Sequence, residues 1–278
     1  MKNYEALIFE GGGVKGIAYN GALLKLEELD ILKNIKYVAG TSAGSQAALL
    51  VACGYNATEI ENILSEVPFS KFLDSSWGFF RDMYRLIFKY GYYKGVYLEK
   101  YIDNLIYKKL SIQNITFENL YKKTGIVLRV TGTCLNTQSL EWFDHVKTPN
   151  MKVAKAIHIS SCIPFMFKPV MYNNKYYIDG GCLNNLPCNA FEDKCTLAMN
   201  LVESEECHEI KGFKQFTASV INTILKGANS KTVNDNVDVI NINTGSISAI
   251  NFNLTNDEKH LLKDIGYKTV TQYFTLII

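Results

Sequence analysis

The chain has 278 residues, of which 47% are hydrophobic and 20% charged, and its formal net charge is +2 at pH 7. This length and composition predict a globular protein with a substantial core and exclude a disordered chain. Because the charge is nearly balanced, nothing attracts the whole molecule to nucleic acid, and we expect no nucleic-acid partner.

Seven cysteines are scattered along the chain without a C-x-x-C pair. They predict neither a zinc site nor a disulfide framework, and reduced thiols are typical of a cytosol-like compartment. The N-terminal MKNYEALIFEGGG contains no apolar stretch long enough for a secretory signal, and no apolar run is long enough to span a membrane. We therefore expect a cytoplasmic or host-cell cytosolic protein that needs no metal or cofactor.

The first half of the chain alternates short apolar runs with helical patterns, as α/β folds do. ALIF predicts a first strand, and a helix is predicted to follow it as far as about Leu29. YVAG at 37–40 predicts a second strand. The Ala- and Leu-rich residues after it predict a helix closed by Gly54.

The same alternation continues to the end of the chain. We predict helices at 56–65 and 97–109, and strands at 126–133, 176–179, 195–201 and 237–242. A last helix is predicted to open at Thr255 or Asn256, since acids in its first turn suit the helix dipole. Residues 1–278 are thus predicted to form a single α/β domain.

A glycine-rich loop, EGGGVKG, follows the first predicted strand. Gly11, Gly13 and Gly16 match G-x-G-x-x-G, the pattern that binds a dinucleotide pyrophosphate. That fold also needs an acid at the end of the second strand to bind the ribose hydroxyls. The sequence there is GTSAG, without an acid, and a dinucleotide site is not expected.

GTSAG at 40–44 matches G-x-S-x-G, in which a sharp strand-to-helix turn exposes a serine oxygen. Gly40 and Gly44 are small neighbours that let the chain and a substrate approach Ser42. Ser42 is therefore a candidate nucleophile. The alternative is that Ser42 serves only as the N-cap of the helix that follows it.

An ester hydrolase also needs N–H donors for the oxyanion of its tetrahedral intermediate. Gly11, Gly12 and Gly13 are predicted to supply them, because a merely tight turn would not need three successive glycines. If the first two strands are neighbours, this loop lies beside Ser42.

Two kinds of general base could activate Ser42. A His-dependent esterase of the α/β-hydrolase type remains open, although none of the histidines stands in a strong motif: His145, His158, His208 and His260. The other candidate is Asp179, which precedes Gly180 and Gly181 at a predicted strand end. Partial burial would raise its pKa and make it a stronger base, and an ordinary turn is the alternative reading of these three residues.

Three segments, FEGGGVKGIAYNGAL, GTSAGS and YYIDGGCLNNLP, together resemble the patatin-like phospholipase family. Lys15 stands where the family usually has Lys or Arg, and TGTCLNTQSLEWFD and SSCIPFMFKPV are also similar to family segments. The likeness extends from about residue 5 to 275 and is weakest at 205–235.

The resemblance implies a mostly parallel central sheet flanked by helices. It also implies metal-independent hydrolysis of fatty-acyl esters of phospholipids, with Ser42 as nucleophile, Asp179 as base and an acyl-enzyme intermediate. The implied partner is a phospholipid or another acyl-lipid, met by peripheral contact with a membrane. An inactive lipid-binding module of the same fold is the alternative.

Two stretches could meet the lipid. Residues 77–97, WGFFRDMYRLIFKYGYYKGVY, are rich in aromatic and basic residues, which suits a membrane-facing lid. Residues 213–227 form a second amphipathic candidate. For both, packing against the core is the default expectation, and for 77–97 this means a helix that packs on the core.

Overall fold

The structure is a computed structural model that describes residues 2–67, 69–73, 85–86, 88–204, 209–228 and 236–276. The strands in these ranges are β1 (Ala6–Phe9), β2 (Tyr37–Gly40), β3 (Gly91–Tyr93), β4 (Val127–Cys134), β5 (Ser139–Phe143), β6 (Phe165–Phe167), β7 (Val170–Tyr172), β8 (Lys175–Asp179), β9 (Thr196–Val202) and β10 (Val237–Asn243). The helices are α1 (Ala18–Glu28), α2 (Ala43–Ala52), α3 (Ala57–Ser65), α4 (Phe69–Phe72), α5 (Val96–Leu110), α6 (Phe117–Thr124), α7 (Val153–Ser160), α8 (Phe213–Ala228) and α9 (Asn256–Thr275).

Eight of these strands form the central sheet, in the order β10-β9-β1-β2-β4-β8-β7 with β5 beside β4. The five strands from β10 to β4 are parallel. Strands β5, β8 and β7 add antiparallel pairs at the other side. The predicted α/β class with a largely parallel sheet is confirmed.

Both faces of the sheet are buried, as parallel sheets require. In β1, Leu7 and Phe9 belong to the main core, whereas Ala6 and Ile8 belong to a smaller cluster on the other face. The main core also takes in buried residues of α1, α2, α5, α7 and α9. Because successive strand residues point to opposite faces, a four-residue strand contributes to both clusters.

Local capping explains where several helices begin. Asn56 and Glu59 form a reciprocal capping box at the start of α3, and Thr255 and Glu258 form another at the start of α9. Each box satisfies backbone N–H groups that the first helical turn leaves without partners. The predicted opening of the last helix at Thr255 or Asn256 is confirmed.

The predicted strands and helices are confirmed to within about two residues at their ends, apart from the helix predicted to reach Leu29, which begins as a 3₁₀ turn at Gly13. The amphipathic stretch at 213–227 is helix α8. Sequence reasoning missed the short strands β3, β5, β6 and β7 and the helices α4, α6 and α7, each of at most eight residues.

The stretch at 77–97 is described only in part. Residues 77–84 and 87 of the lid prediction lie outside the described residues. Residues Gly91–Tyr93 form a strand that pairs in parallel with β6, and not the helix that core packing implied. Among the described helices, none combines the length and apolar character that a membrane crossing requires.

Candidate active site

Ser42 occupies the sharp turn between β2 and α2. Its backbone has φ 51° and ψ −124°, a conformation that costs a residue with a Cβ on the order of 1–3 kcal/mol. Two hydrogen bonds hold the turn: the Ser42 N–H donates to Ser160 Oγ at 2.9 Å, and Ser45 Oγ donates to the Ser42 carbonyl at 2.6 Å. Ser42 is the N-cap residue of α2, but its side chain makes no capping hydrogen bond. The hydroxyl is therefore not used to cap the helix.

The two glycines that flank the turn allow two close backbone approaches. A Cβ on Gly40 would lie 2.2 Å from the Gly44 carbonyl oxygen, and a Cβ on Gly44 would lie 2.3 Å from the Phe9 carbonyl oxygen. A larger residue at position 40 would open the turn, and one at position 44 would push the start of α2 away from β1. Gly16 plays a milder part, since its Cβ would meet that of Ala43 at 3.0 Å.

Asp179 ends strand β8, on the far side of β4 from Ser42. Its register partner on β4 is Gly132, and Gly40 of β2 lies opposite Val130. The C-terminal ends of β2 and β8 therefore lie on the two sides of β4, at neighbouring positions along that strand. Between them, Thr131 Oγ1 lies 2.6 Å from Thr41 Oγ1 and close to Gly180.

The Asp179 carboxylate is buried and accepts a hydrogen bond from the Gly181 N–H at 2.8 Å. Burial raises the pKa of Asp179 to about 7, and the Gly181 N–H and the nearby Ser42 hydroxyl only partly oppose this rise. Asp179 thus makes the turn contact expected of an Asp-Gly-Gly sequence and also contacts Ser42. A carboxylate with a pKa near neutrality is a far better base than an ordinary aspartate.

The glycine-rich loop lies against the same turn. Gly13 has φ 55°, and a Cβ there would lie 2.0 Å from the Ala249 carbonyl oxygen, so no other residue fits. The Gly11 N–H donates to the Asn185 carbonyl at 3.0 Å and is therefore occupied. Within the described part of the chain, the N–H groups of Gly12 and Gly13 donate to no protein acceptor. Two of the three predicted donors are thus available to a ligand.

Lys15, singled out in the same loop, points away from Ser42. Its ammonium lies 2.8 Å from Glu203 Oε1, and both side chains are mostly buried. Lys15 lines a polar pocket of about 800 Å³ on the outer side of the glycine loop, together with Glu10, Asn200, Glu203, Asn222 and Lys226.

Two further cavities meet at Ser42. A small pocket of about 360 Å³ is lined by Gly11–Gly13, Ser42, Asp179 and Asn185. The larger cavity, of about 920 Å³, is almost wholly apolar and extends from Ser42 between α2, α3, α4 and α5, with Leu50, Ile60, Leu64, Phe72, Leu98 and Ile102 in its wall. Its size and lining suit a hydrocarbon chain.

The histidines that the structure describes lie elsewhere. His158 is buried with Nδ1 2.9 Å from Glu99 Oε2, His145 stacks on Tyr121, and His260 is exposed on α9. None of these three lines either pocket that holds Ser42. His208 lies outside the described residues.

The described cysteines are free thiols, Cys53, Cys134, Cys162, Cys182, Cys188 and Cys195. Cys207 lies outside the described residues. Burial raises the pKa of Cys182, which follows the Asp-Gly-Gly turn, to about 12. Within the described ranges, no group of three or more His, Cys, Asp or Glu side chains is arranged to hold a metal ion.

Sequence reasoning missed the polar residues that join the three motifs. Thr131 contacts both the serine turn and the Asp-Gly-Gly turn, Ser160 anchors the backbone of Ser42, and Asn185 binds the glycine loop. Asn185 stands in the motif segment YYIDGGCLNNLP, six residues after Asp179. Thr131 and Ser160 have no motif around them, and only the three-dimensional register reveals them.

Comparison with known proteins agrees with this geometry. The family model for patatin-like phospholipase matches residues 7–191. An uncharacterised protein of Acanthamoeba polyphaga mimivirus is 31% identical over 98% of this chain and 94% of its own length. "Probable lipid hydrolase 463L" of Invertebrate iridescent virus 6 is 29% identical over 67% of this chain and 62% of its own.

Among solved structures, VipD from Legionella pneumophila has the same fold, with a TM-score of 0.68 at 20% identity. The match covers 98% of this chain and 66% of VipD. The region matched by the family model contains the serine of the strand-turn-helix, the buried aspartate and the glycine loop. The chain belongs to the patatin-like phospholipase family.

Proposed function

We propose that this chain is a phospholipase A-type lipid acyl hydrolase that cleaves fatty-acyl esters of phospholipids, with Ser42 as nucleophile and Asp179 as general base. One observation carries the proposal. Ser42 and the buried carboxyl of Asp179 line the same small pocket, and burial raises the pKa of this carboxyl to about 7, which supports Asp179 as the base next to the oxygen that must lose its proton.

In the first step, Asp179 takes the proton of Ser42 Oγ as this oxygen attacks the ester carbonyl carbon. The carbonyl oxygen becomes an oxyanion, which would accept hydrogen bonds from the N–H groups of Gly12 and Gly13, two residues that line the pocket with Ser42. Each such donor is worth roughly 10²–10³ in rate. When the tetrahedral intermediate collapses, the C–O bond to the alcohol breaks, the alcohol takes the proton from Asp179, and the acyl group stays on Ser42.

In the second step, water attacks the acyl-enzyme and gives a proton to Asp179. Collapse of the second intermediate releases the fatty acid and returns the proton to Ser42 Oγ. No step consumes a cofactor, and Ser42 and Asp179 both return to their initial protonation states.

The apolar cavity supports a long-chain lipid substrate. It begins at Ser42 and is walled by aliphatic and aromatic side chains of α2, α3, α4 and α5. An acyl chain bound there gains roughly 0.8 kcal/mol for each buried methylene group, which favours long chains over acetate-like groups. The name of a viral relative, "Probable lipid hydrolase", points to the same substrate class.

Contact with a membrane surface follows from a cluster of exposed apolar side chains near the pocket. We call this cluster the aromatic edge, and it consists of Tyr90, Phe165, Met171 and Tyr176, which are 38–57% exposed. Phe165 lies opposite Gly91 in the β3–β6 pair, Tyr90 packs edge-on against Tyr176, and Met171 pairs with Tyr176.

The aromatic edge is continuous with the active-site pocket and is bordered by cations. Pro164, next to Phe165, lines the small pocket that holds Ser42 and Asp179. Lys89 and Lys94 are exposed beside Tyr90. Aromatic rings suit the water–lipid boundary, and cations suit anionic headgroups. Together with the free thiols, these features support a cytoplasmic or host-cell cytosolic protein that acts at a membrane surface.

Product analysis on vesicles tests the proposal. The substrates are mixed-chain phosphatidylcholine and phosphatidylglycerol vesicles in the presence of EDTA, and the proteins are the parent, Ser42→Ala and Asp179→Asn. We expect the parent to release free fatty acid and both variants to lose at least roughly 10³-fold in rate. Asp264→Asn, an exposed aspartate on α9, is the matched control and should remain active.

The other outcomes each point to a different function. Activity that survives in Asp179→Asn but disappears in His208→Ala or His260→Ala would favour the His-dependent esterase. Activity abolished by EDTA would contradict the metal-independent mechanism. A folded parent that binds vesicles without releasing fatty acid would favour an inactive lipid-binding module.

A further inference from the structure

Asn185 is a buried amide that ties the Asp-Gly-Gly segment to the glycine loop. Its side chain is 3% exposed. Nδ2 donates to Glu10 Oε1 at 2.9 Å and to the Gly11 carbonyl at 3.0 Å, and the Asn185 carbonyl accepts the Gly11 N–H at 3.0 Å. Asn185 is therefore one of the residues that hold the loop with the two available N–H donors, together with Ala249, whose carbonyl accepts the Val14 N–H at 3.0 Å.

These contacts fix which way the amide faces. Both groups around Nδ2 are acceptors, a carboxylate and a carbonyl, so the amide nitrogen must be the atom that meets them. The oxygen Oδ1 therefore points to the opposite side. Among the described residues it receives no hydrogen bond, although it is fully buried.

A buried acceptor without a donor costs about 1–3 kcal/mol, and a bound water commonly satisfies such a group. The position of Asn185 Oδ1 indicates where such a water would bind. Asn185 Oδ1 lies 2.6 Å from the place that a Cβ on Gly181 would occupy, and Asp179 Oδ1 lies 3.1 Å from that place. Asn185 and Asp179 both line the small pocket with Ser42, so a donor that reaches Oδ1 from that pocket would lie next to the Asp179 carboxylate.

The polar pocket borders the same residues from outside the glycine loop. Asn185, Gly11 and Gly12 line both the small pocket with Ser42 and the polar pocket of about 800 Å³. Among the described residues, the apolar cavity and the polar pocket share no lining residue. The acyl chain and the polar pocket therefore occupy separate spaces.

We propose that Asn185 Oδ1 positions the hydrolytic water for deacylation. The inference rests on the proposed acyl-enzyme mechanism. The water donates one O–H to Asn185 Oδ1 and the other to the Asp179 carboxylate. Asp179 takes this second proton as the water oxygen forms its bond to the acyl carbon, and the Ser42 Oγ–acyl bond then breaks with return of the proton to Oγ. Asn185 gains and loses no proton.

The test separates acylation from deacylation. The parent, Asn185→Ala and the control Asn184→Ala, whose side chain donates a hydrogen bond to Asn189 Oδ1, are mixed rapidly with a long-chain p-nitrophenyl ester. We expect Asn185→Ala to release about one equivalent of p-nitrophenol at a rate within roughly threefold of the parent. Its steady-state turnover should then be roughly 10- to 100-fold slower, because the water is misplaced.

Intact-protein mass spectrometry should find the acyl adduct accumulated on Asn185→Ala and absent from the parent and from Asn184→Ala. Added methanol, a smaller competitor for the acyl group, should speed turnover of Asn185→Ala more than that of the parent. If Asn185 only holds the glycine loop, acylation falls as much as turnover and no adduct accumulates, which would overturn the inference.

A second measurement does not depend on whether Asn185→Ala folds. A high-resolution crystal structure of the parent should contain an ordered water within hydrogen-bond distance of both Asn185 Oδ1 and the Asp179 carboxylate. A protein donor on Oδ1, or an empty pocket there, would contradict the inference. If the parent releases fatty acid but Asn185→Ala gives no burst of p-nitrophenol, only the inference about Asn185 is refuted. If the parent has no Ser42-dependent activity, the proposed function itself is refuted.

Discussion

Replacing the candidate base with its neutral isostere should make the protein more stable. Asp179→Asn keeps an oxygen that can accept the Gly181 N–H and the Ser42 hydroxyl, so the packing of the turn is conserved. What changes is the cost of ionising a buried group. Because burial raises the pKa of Asp179 to about 7 from an ordinary 3.8, its charged form is disfavoured in the folded state.

The size and direction of the effect follow from linkage. Between pH 3.8 and 7 the unfolded chain has lost this proton while the folded protein keeps it, so stability falls as the pH rises through this window. A shift of about three pKa units corresponds to as much as about 4 kcal/mol. Asp179→Asn does not titrate and avoids this loss. Its advantage over the parent should be near zero at pH 4 and reach its full value above pH 8.

Urea unfolding at pH 4.5, 6 and 8 measures the difference in the free energy of unfolding between Asp179→Asn and the parent. The contributions of the titrating groups that the two proteins share cancel in this difference. The exposed control Asp264→Asn should show no such trend. The activity of the parent should rise through the same pH near 7, since only the ionised carboxylate can accept the Ser42 proton. An Asp179→Asn protein that is no more stable than the parent at pH 8 would refute the conclusion that Asp179 is ionised at a cost.

Three other predictions concern single features. Ser42→Gly should be more stable than Ser42→Ala by about 1 kcal/mol in thermal unfolding, because glycine adopts the positive φ of the turn without strain, and equal stability would contradict this. Lys15→Met should destabilise the fold by up to about 3 kcal/mol, because Glu203 loses its nearer partner and keeps only Lys226 at 3.5 Å, and adding Glu203→Leu should restore most of it. Phe165→Ser with Tyr176→Ser should weaken binding to anionic vesicles at least roughly tenfold in a sedimentation assay, while hydrolysis of a soluble ester stays unchanged.

Much of the fold could be predicted because its strands and helices obey local rules. The runs ALIF and YVAG are apolar, short and bounded by glycine, and the capping acids at Thr255 mark a helix start. The missed elements lack such signals. Strand β6 is three residues long, and strand β3 of the same length is paired with it, so their pairing depends on a contact between distant segments.

Some features of the candidate site could likewise be predicted from local sequence, and others could not. Ser42 and Asp179 stand in motifs whose glycines mark tight turns, and a sequence can display that requirement. The direction of the Lys15 side chain could not be predicted, because it depends on Glu203, which is distant in the sequence. Nor could the occupied N–H of Gly11 be foreseen, since its acceptor belongs to the segment after β8.

Three residues that each cost stability border one pocket of about 360 Å³. Ser42 holds a strained backbone, Asp179 buries an ionisable carboxyl, and Asn185 buries an oxygen without a donor. Each costs on the order of 1 kcal/mol or more, and the surrounding core of buried aliphatic and aromatic residues must offset all three. Such costs are expected to gather where function requires them. Their convergence at one point is therefore a stronger argument for catalysis there than any of the three motifs alone.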